Sequence, residues 1–311
     1  MSRIVVTGGA GRLGRSLVTG LAGFGHEIVS LDRVAVPELE QDGITQVALD
    51  LSDADAAAAV LSDAKADALI HLAAIAVPFS APEDVIMRTN AGLAISVLHG
   101  AVRAGIPKIV AASSPTVLGY GCPTGWSPDR LPLDEETPTR PWNAYALSKL
   151  LIEDTLGMLQ RQTGDATRFA AFRPCYVIAP EEWAGAPTQQ GHTVRERLDD
   201  PALSAPALFN YVDARDVAGF ADTLLAGMTE IPNGEVFFVG ADDALARRPL
   251  SELLPQFHPG TEHAATALTT SAPAFSSAKA ARLLGWRPTR SWRTELASAT
   301  AAAATASASA S

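Results

Sequence analysis

The 311 residues carry 24 Lys+Arg against 34 Asp+Glu, a formal charge of −10, with 47% hydrophobic and 19% charged residues. That balance suits a chain that buries a core of its own, and it lacks both the basic footprint of a nucleic-acid binder and the polybasic patch that holds a protein to an anionic membrane. Two cysteines, Cys122 and Cys175, give no disulfide framework, and neither they nor the six histidines have metal-ligand spacing, so no metal site is expected.

In chain order, short β-branched runs alternate with longer Ala/Leu-rich stretches. The start, MSRIVVTGGAG, has no cationic-then-apolar leader and enters a strand at 3–8. A helix is predicted over 14–25, strands over 27–32 and 46–50, and a helix over 53–64 with Ser52 or Asp53 as its cap. A strand over 67–74, a long helix over 83–105 ending at glycine, and a strand over 108–114 follow. Residues 115–142 are rich in Pro and Gly and read as an ordered loop over the sheet edge. Then come a helix (143–164), a strand (167–174), a loop-rich stretch (179–206), a strand edge, turn and helix (209–228), a last strand (235–240) and two short helices (249–257 and 276–286). The strands are apolar on both faces, as in a parallel sheet covered by helices, and the βαβα rhythm predicts a Rossmann-type, doubly wound α/β fold.

The expected organisation is a dinucleotide-binding domain over 1–174, with 207–240 adding late sheet elements. A smaller C-terminal substrate-binding lobe is expected from 175–206 and 241–295, with a disordered Ala/Ser tail over 296–311. No apolar run approaches the ~18 residues that span a bilayer, so no membrane partner is expected. The cysteine usage suits the cytoplasm.

Five motifs carry candidate chemistry. TGGAGRLG (7–14) follows a strand and opens a helix, with Gly8, Gly11 and Gly14 spaced to let backbone approach a pyrophosphate at a helix N-terminus. Arg12 and Leu13 belong to the same cradle. Asp32 ends the second strand, where a carboxylate accepts the ribose hydroxyls of NAD and repels a 2′-phosphate. Arg33 beside it pulls toward NADP, and the acidic residue is taken to decide for NAD. Asp50 and Leu51 sit where an adenine packs, and the small residues of Leu72, Ala73 and Ala74 let a cofactor pass, whereas His71 reads as a packed histidine. The last stretch joins Ser113 and Ser114 at the C-terminal end of a strand to Tyr145 and Lys149 of YALSK, an i, i+4 pair on one helix face. A lysine ammonium beside a tyrosine lowers the phenol's pKa toward general-base use.

TGGAGRLG, Asp32, the 50–51 pair, HLAA, Asn90, SSPTV, YALSK and FRP, in this order, resemble the extended short-chain dehydrogenase/reductases of the NAD-dependent epimerase/dehydratase family. YVDARDVA (211–218) and KAARLLGWRPTRSW (279–292) are similar to that family's C-terminal half. The resemblance implies an NAD-binding Rossmann domain and a Ser-Tyr-Lys set of Ser114, Tyr145 and Lys149. In it Tyr145 exchanges the proton of the reacting hydroxyl, Lys149 holds the nicotinamide ribose and Ser114 orients the substrate oxygen. Asn90 falls at a supporting position counted with the cofactor contacts, and the helices over 83–105 and 143–164 would pair in a homodimer. The implied function is an NAD-dependent oxidoreductase or epimerase acting on a small-molecule substrate, a sugar or sugar derivative. The alternatives are a carbonyl reductase or hydroxy-dehydrogenase on a hydrophobic substrate and a silent nucleotide sensor. Leu208, Phe209 and Asn210 stand where nucleotide-sugar enzymes carry a base for the diphosphate, with Arg195 and Arg197 as possible substitutes. Trp126, Trp142 and Trp183 flank the expected cleft.

Overall fold

The computed structural model describes residues 1–299. Its elements run β1 (Arg3–Thr7), α1 (Arg12–Gly23), β2 (Glu27–Asp32), β3 (Ile44–Ala48), α2 (Ala54–Ala64), β4 (Ala68–His71), α3 (Glu83–Arg103), β5 (Lys108–Ala112), α4 (Ala144–Thr163) and β6 (Arg168–Pro174). The second half holds β7 (Val177–Ile178), α5 (Pro180–Trp183), α6 (Val194–Asp199), β8 (Val212–Asp213), α7 (Ala214–Gly227), β9 (Glu235–Val239), α8 (Leu250–Phe257), α9 (Glu262–Ala265) and α10 (Ala278–Leu284).

Seven strands form one parallel sheet in the order β3-β2-β1-β4-β5-β6-β9. The strand order reverses direction between β1 and β4, so the C-terminal ends of those strands open a crevice there. β7 and β8 pair separately, Val177 with Val212 and Ile178 with Asp213.

The alternation within β1 shows why the sheet is buried on both sides. Ile4 and Val6 join a core with Leu17, Leu21 and Phe220, while Val5 joins the opposite core with Leu61, Val97 and Leu98. Helices α1 and α7 pack together on the first face, and α2, α3 and α4 on the second. The first core runs on without a break through Leu250, Leu253 and Phe275, so the C-terminal elements are welded to the sheet. A third cluster gathers Ile178, Trp183, Tyr211, Trp292 and Leu296.

Local chemistry fixes the helix starts. Asp53, not Ser52, caps α2, its carboxylate accepting the Ala56 N–H at 3.0 Å. Asn143 caps α4 by accepting the Ala146 N–H at 2.9 Å. Such a cap contributes about 1 kcal/mol and sets where the helix begins, hence which face Tyr145 and Lys149 take.

The structure corrects several boundaries. Strands β3, β4 and β5 end at Ala48, His71 and Ala112, before Asp50, Leu72 and Ser113, because those residues turn out of the ladder into loops. Asp50 starts a turn by accepting the Ser52 N–H at 2.9 Å. Helix α3 is, by length and composition, apolar enough to cross a bilayer, contrary to the reading of the sequence. Here it flanks the sheet, with Ile86, Asn90, Ala94, Val97 and Leu98 buried. The expected tail begins too early: 292–299 is helical and Leu296 is buried in the third cluster. The remainder of that expectation, 300–311, lies outside the described residues.

Candidate functional site

A cavity of about 1080 Å³ follows the C-terminal edge of the sheet, from the glycine loop to the start of α4. Gly8, Gly11, Arg12, Leu13, Gly14, Asp32, Arg33, Asp50, Leu51, Leu72, Ala73, Ala74, Ser114, Tyr145 and Lys149 all line it. Residues from six separate stretches of chain thus converge on one space.

The glycine loop is built by close approach. Gly8 has φ +75°, and a Cβ there would sit 2.8 Å from the Ala73 nitrogen. A Cβ on Gly14 would sit 2.1 Å from the Gly8 carbonyl oxygen, so α1 can begin against the loop only without one. Gly11 caps α1 with no side chain over it, and the first turn has no acidic residue. The helix N-terminus therefore presents unsatisfied N–H groups and positive dipole to the cavity, an environment that suits an anion. Asp32 is pinned at the other side of the loop: its carboxylate accepts the Ala10 N–H at 3.0 Å and the Arg33 N–H at 2.7 Å. Hydrogen bonds from Ser52 hold the Asp50 carboxyl below its usual range, helped by the charge of Arg33. A pyrophosphate cradle followed by an oriented carboxylate fits a dinucleotide whose ribose hydroxyls are free.

Arg12 does more than line the loop. Its guanidinium donates to Glu182, to the Val177 carbonyl at 2.5 Å and to Gln189 at 3.4 Å. Glu182 is buried, so this pair fastens the glycine loop to α5.

At the opposite end, Ser114 caps a short 3₁₀ turn (Pro115–Leu118) and its Oγ accepts from the Thr116 hydroxyl at 2.9 Å. Ser113 is engaged elsewhere, donating to Glu153 at 2.5 Å, and Glu153 is held by both Nε and Nη2 of Arg173 at 2.8 Å. Both serines line the cavity.

Lys149 is buried and donates to the Ala112 carbonyl at 2.9 Å. Desolvation pulls its pKa down to about 8. Tyr145 is also buried, and desolvation raises its pKa against a smaller opposing effect from a Ser114 hydrogen bond. This corrects the expectation of a lowered phenol pKa: Lys149 Nζ lies 5.9 Å from the Tyr145 ring centroid, and burial, opposed by the Ser114 hydrogen bond, sets the direction of the shift. His71 lies beneath, hydrogen-bonded through Nδ1 to Thr7 Oγ1 at 2.7 Å. Burial and the Lys149 charge push its pKa down to about 3, so it is neutral, as a packed histidine should be.

Asn90 is a second correction. It does not line the cavity. Fully buried, it accepts the Ile75 N–H at 2.7 Å and donates to the Ile75 carbonyl at 3.2 Å and to Ser148 Oγ at 3.0 Å. It therefore staples the loop after β4 to the tyrosine helix, a positioning task rather than a cofactor contact. Of the tryptophans, Trp142 lines the cavity, Trp126 packs edge-on to Tyr120 at 6.2 Å, and Trp183 donates to Asp213 at 2.7 Å in the third cluster. Reading the sequence missed Phe79, Tyr176, Gln189 and Gln190, which line the cavity from loops with no motif to flag them. Arg195 and Arg197 are not among the lining residues: Arg197 is buried behind Tyr176, 4.3 Å from its ring centroid, and Arg195 donates to the Leu296 carbonyl at 3.4 Å.

Parallel strands with this order, a glycine turn at the switch point and a Tyr-x-x-x-Lys helix beside it define an extended short-chain dehydrogenase/reductase. The model of the NAD dependent epimerase/dehydratase family matches residues 4–240, and the chain belongs to that family, with NAD as its cofactor. The chain is similar to uronate dehydrogenase of Agrobacterium fabrum, 31% identical over 67% of this chain and 74% of that protein. It is also similar to UDP-glucose 4-epimerase of Azospirillum brasilense, 32% identical over 50% of this chain but only 43% of that protein. Among solved structures, the UDP-Glc/GlcNAc 4-epimerase of Campylobacter jejuni superposes with a TM-score of 0.72 at 19% identity, covering 96% of this chain and 98% of that one. A short-chain dehydrogenase/reductase superfamily protein of Agrobacterium tumefaciens with bound NAD gives 0.69 at 23%, covering 99% and 98%. At such identities these two likenesses establish the fold.

Proposed function

We propose that the chain is an NAD-dependent dehydrogenase that oxidises a hydroxyl of a free sugar or sugar acid rather than a nucleotide-linked sugar. The observation that carries this reading is the charge distribution along the cavity. Its cationic lining residues are Arg12, Arg33 and Lys149. Arg12 is neutralised by Glu182, Arg33 stands at the Asp32 end, and Lys149 belongs to the tyrosine helix. The walls beyond Tyr145 are Thr116, Trp142, Gln189, Gln190 and Asn210, which can hydrogen-bond hydroxyls but offer no counter-charge for a diphosphate. The likeness to a uronate dehydrogenase supports the same choice.

In this reading Gly8, Gly11 and Gly14 hold the pyrophosphate, Asp32 takes the adenosine ribose, and Lys149 takes the nicotinamide ribose. NAD, when bound, supplies the hydride acceptor. Tyr145 takes the proton of the reacting hydroxyl, Ser114 donates its hydrogen bond to the same oxygen, and the positive charge of Lys149 favours the phenolate. Residues 1–174 with 207–240 form the cofactor part, and 175–206 with 241–295 the substrate part. The exposed Ile95 of α3 and Leu147 of α4 support pairing of two copies through these helices.

The test incubates the purified protein with NAD and, separately, free aldoses, hexuronates and UDP-glucose. Reduced cofactor is expected with at least one free sugar. Epimerised UDP-glucose without net reduced cofactor, and no response to any free sugar, would overturn the proposal.

A further inference from the structure

Phe79 stands out in the backbone. It has φ +62°, a left-handed conformation unfavourable for a bulky residue, which persists only where the surroundings impose it. Its side chain gains little from burial in return, since the residue is 60% exposed. The loop around it is tightly held: Asn90 clamps Ile75, and the Ser80 N–H and hydroxyl both donate to the Val77 carbonyl. The ring lies 5.6 Å from that of Trp142, tilted by 36°, and both residues line the cavity. Trp142 is itself oriented, donating from Nε1 to the Tyr120 carbonyl at 3.0 Å. It precedes Tyr145 by three residues and stands immediately before Asn143, the cap of α4.

We propose that Phe79 and Trp142 form an aromatic platform that recognises the apolar C–H face of a pyranose ring and so determines which substrate reaches Tyr145. This deepens the proposed sugar-dehydrogenase reading and rests on it. A pyranose presents its hydroxyls at the rim and its weakly positive C–H bonds on one face, which match the negative face of an aromatic ring. Two rigid rings fixed in advance lose little entropy on contact, and an exposed phenylalanine in a strained backbone has a reason to be there if a ligand completes its packing. The polar partners at Thr116, Gln189, Gln190 and Asn210 would take the hydroxyl rim.

The platform touches no reacting bond, so its loss weakens ground state and transition state alike. Phe79→Gly and Trp142→Ala are expected to raise KM for the free sugar about tenfold or more while kcat stays within about threefold and NAD binding is unchanged. Phe79→Gly relieves the backbone strain and removes an exposed ring, so it keeps the fold, and its thermal midpoint is expected to hold or rise. An independent readout uses D-glucuronate and D-glucose as probes on the NAD-loaded protein. In saturation-transfer NMR with irradiation confined to aromatic protons, the sugar's ring C–H signals should respond, and the response should fall in both variants. A sugar that is turned over with unchanged KM and unchanged aromatic transfer in both variants overturns the platform and leaves the dehydrogenase standing. A wild-type protein that neither binds nor oxidises any sugar overturns both.

Discussion

Replacing Lys149 by Met removes a titrating group whose contribution to stability can be worked out. Lys149 is buried, and its pKa falls from 10.5 to about 8 on folding. Between those two pH values the unfolded chain binds a proton that the folded chain has released. Stability therefore rises with pH across this window, by about 1.4 kcal/mol for each of the roughly 2.5 units, about 3 kcal/mol in all. Below pH 8 both states are protonated and the full cost of the buried charge is present. His71 is neutral throughout the window, whereas Tyr120, Tyr145 and Cys175 are pushed upward by burial, so the unfolded chain loses their protons first and their own contribution falls as pH rises; being common to wild type and variant, they cancel in the difference. The assay is urea denaturation of wild type and Lys149→Met at steps from pH 7 to 10.5. The stability of wild type relative to the variant should climb by about 3 kcal/mol over that range, starting near pH 8. A difference that stays flat within about 1 kcal/mol refutes the claim that the folded protein buries this ammonium at a cost. At pH 7 the variant should also have lost turnover, which would tie the destabilising charge to the chemistry.

Tyr145→Phe should lower kcat by about 10²–10⁴ while leaving NAD affinity and the denaturation midpoint almost unchanged, because only a hydroxyl at the proton-transfer position is removed; isothermal titration and steady-state kinetics on the same preparation check this. Gly14→Ala places a Cβ 2.1 Å from the Gly8 carbonyl oxygen and 2.8 Å from Gly9 Cα, both backbone, so the loop must shift. NAD affinity should drop by about tenfold or more with a stability loss of about 1–3 kcal/mol, and unaltered cofactor titration would contradict the cradle assignment. Asn90→Ala leaves the half-buried N–H and carbonyl of Ile75 without their side-chain partner. It should cost about 1–3 kcal/mol for each group left without a partner and reduce turnover through loop position; chemical denaturation showing no loss would remove Asn90 from that role.

The sequence by itself determined the layering and the cofactor end. Strands with no polar face can only be interior, so β1, β2, β4 and β5 were legible from runs such as RIVVT and ALIH. Glycine spacing, Asp32 and the Tyr145–Lys149 pair were legible because each is a local arrangement: a turn, a strand end and one helical turn. What only the tertiary structure decided lies between elements distant in sequence. Arg12 reads locally as part of a phosphate loop, yet its guanidinium is held by Glu182, 170 residues away. Asn90 reads as a cofactor neighbour, yet burial directs its amide to Ile75 and Ser148. The Tyr145 pKa was expected to fall from a neighbouring charge, and it rises because desolvation depends on everything packed around the ring. Periodicity reports which face of an element is buried; it holds no information about which loops meet over the sheet edge, and there Phe79 and Trp142 come together.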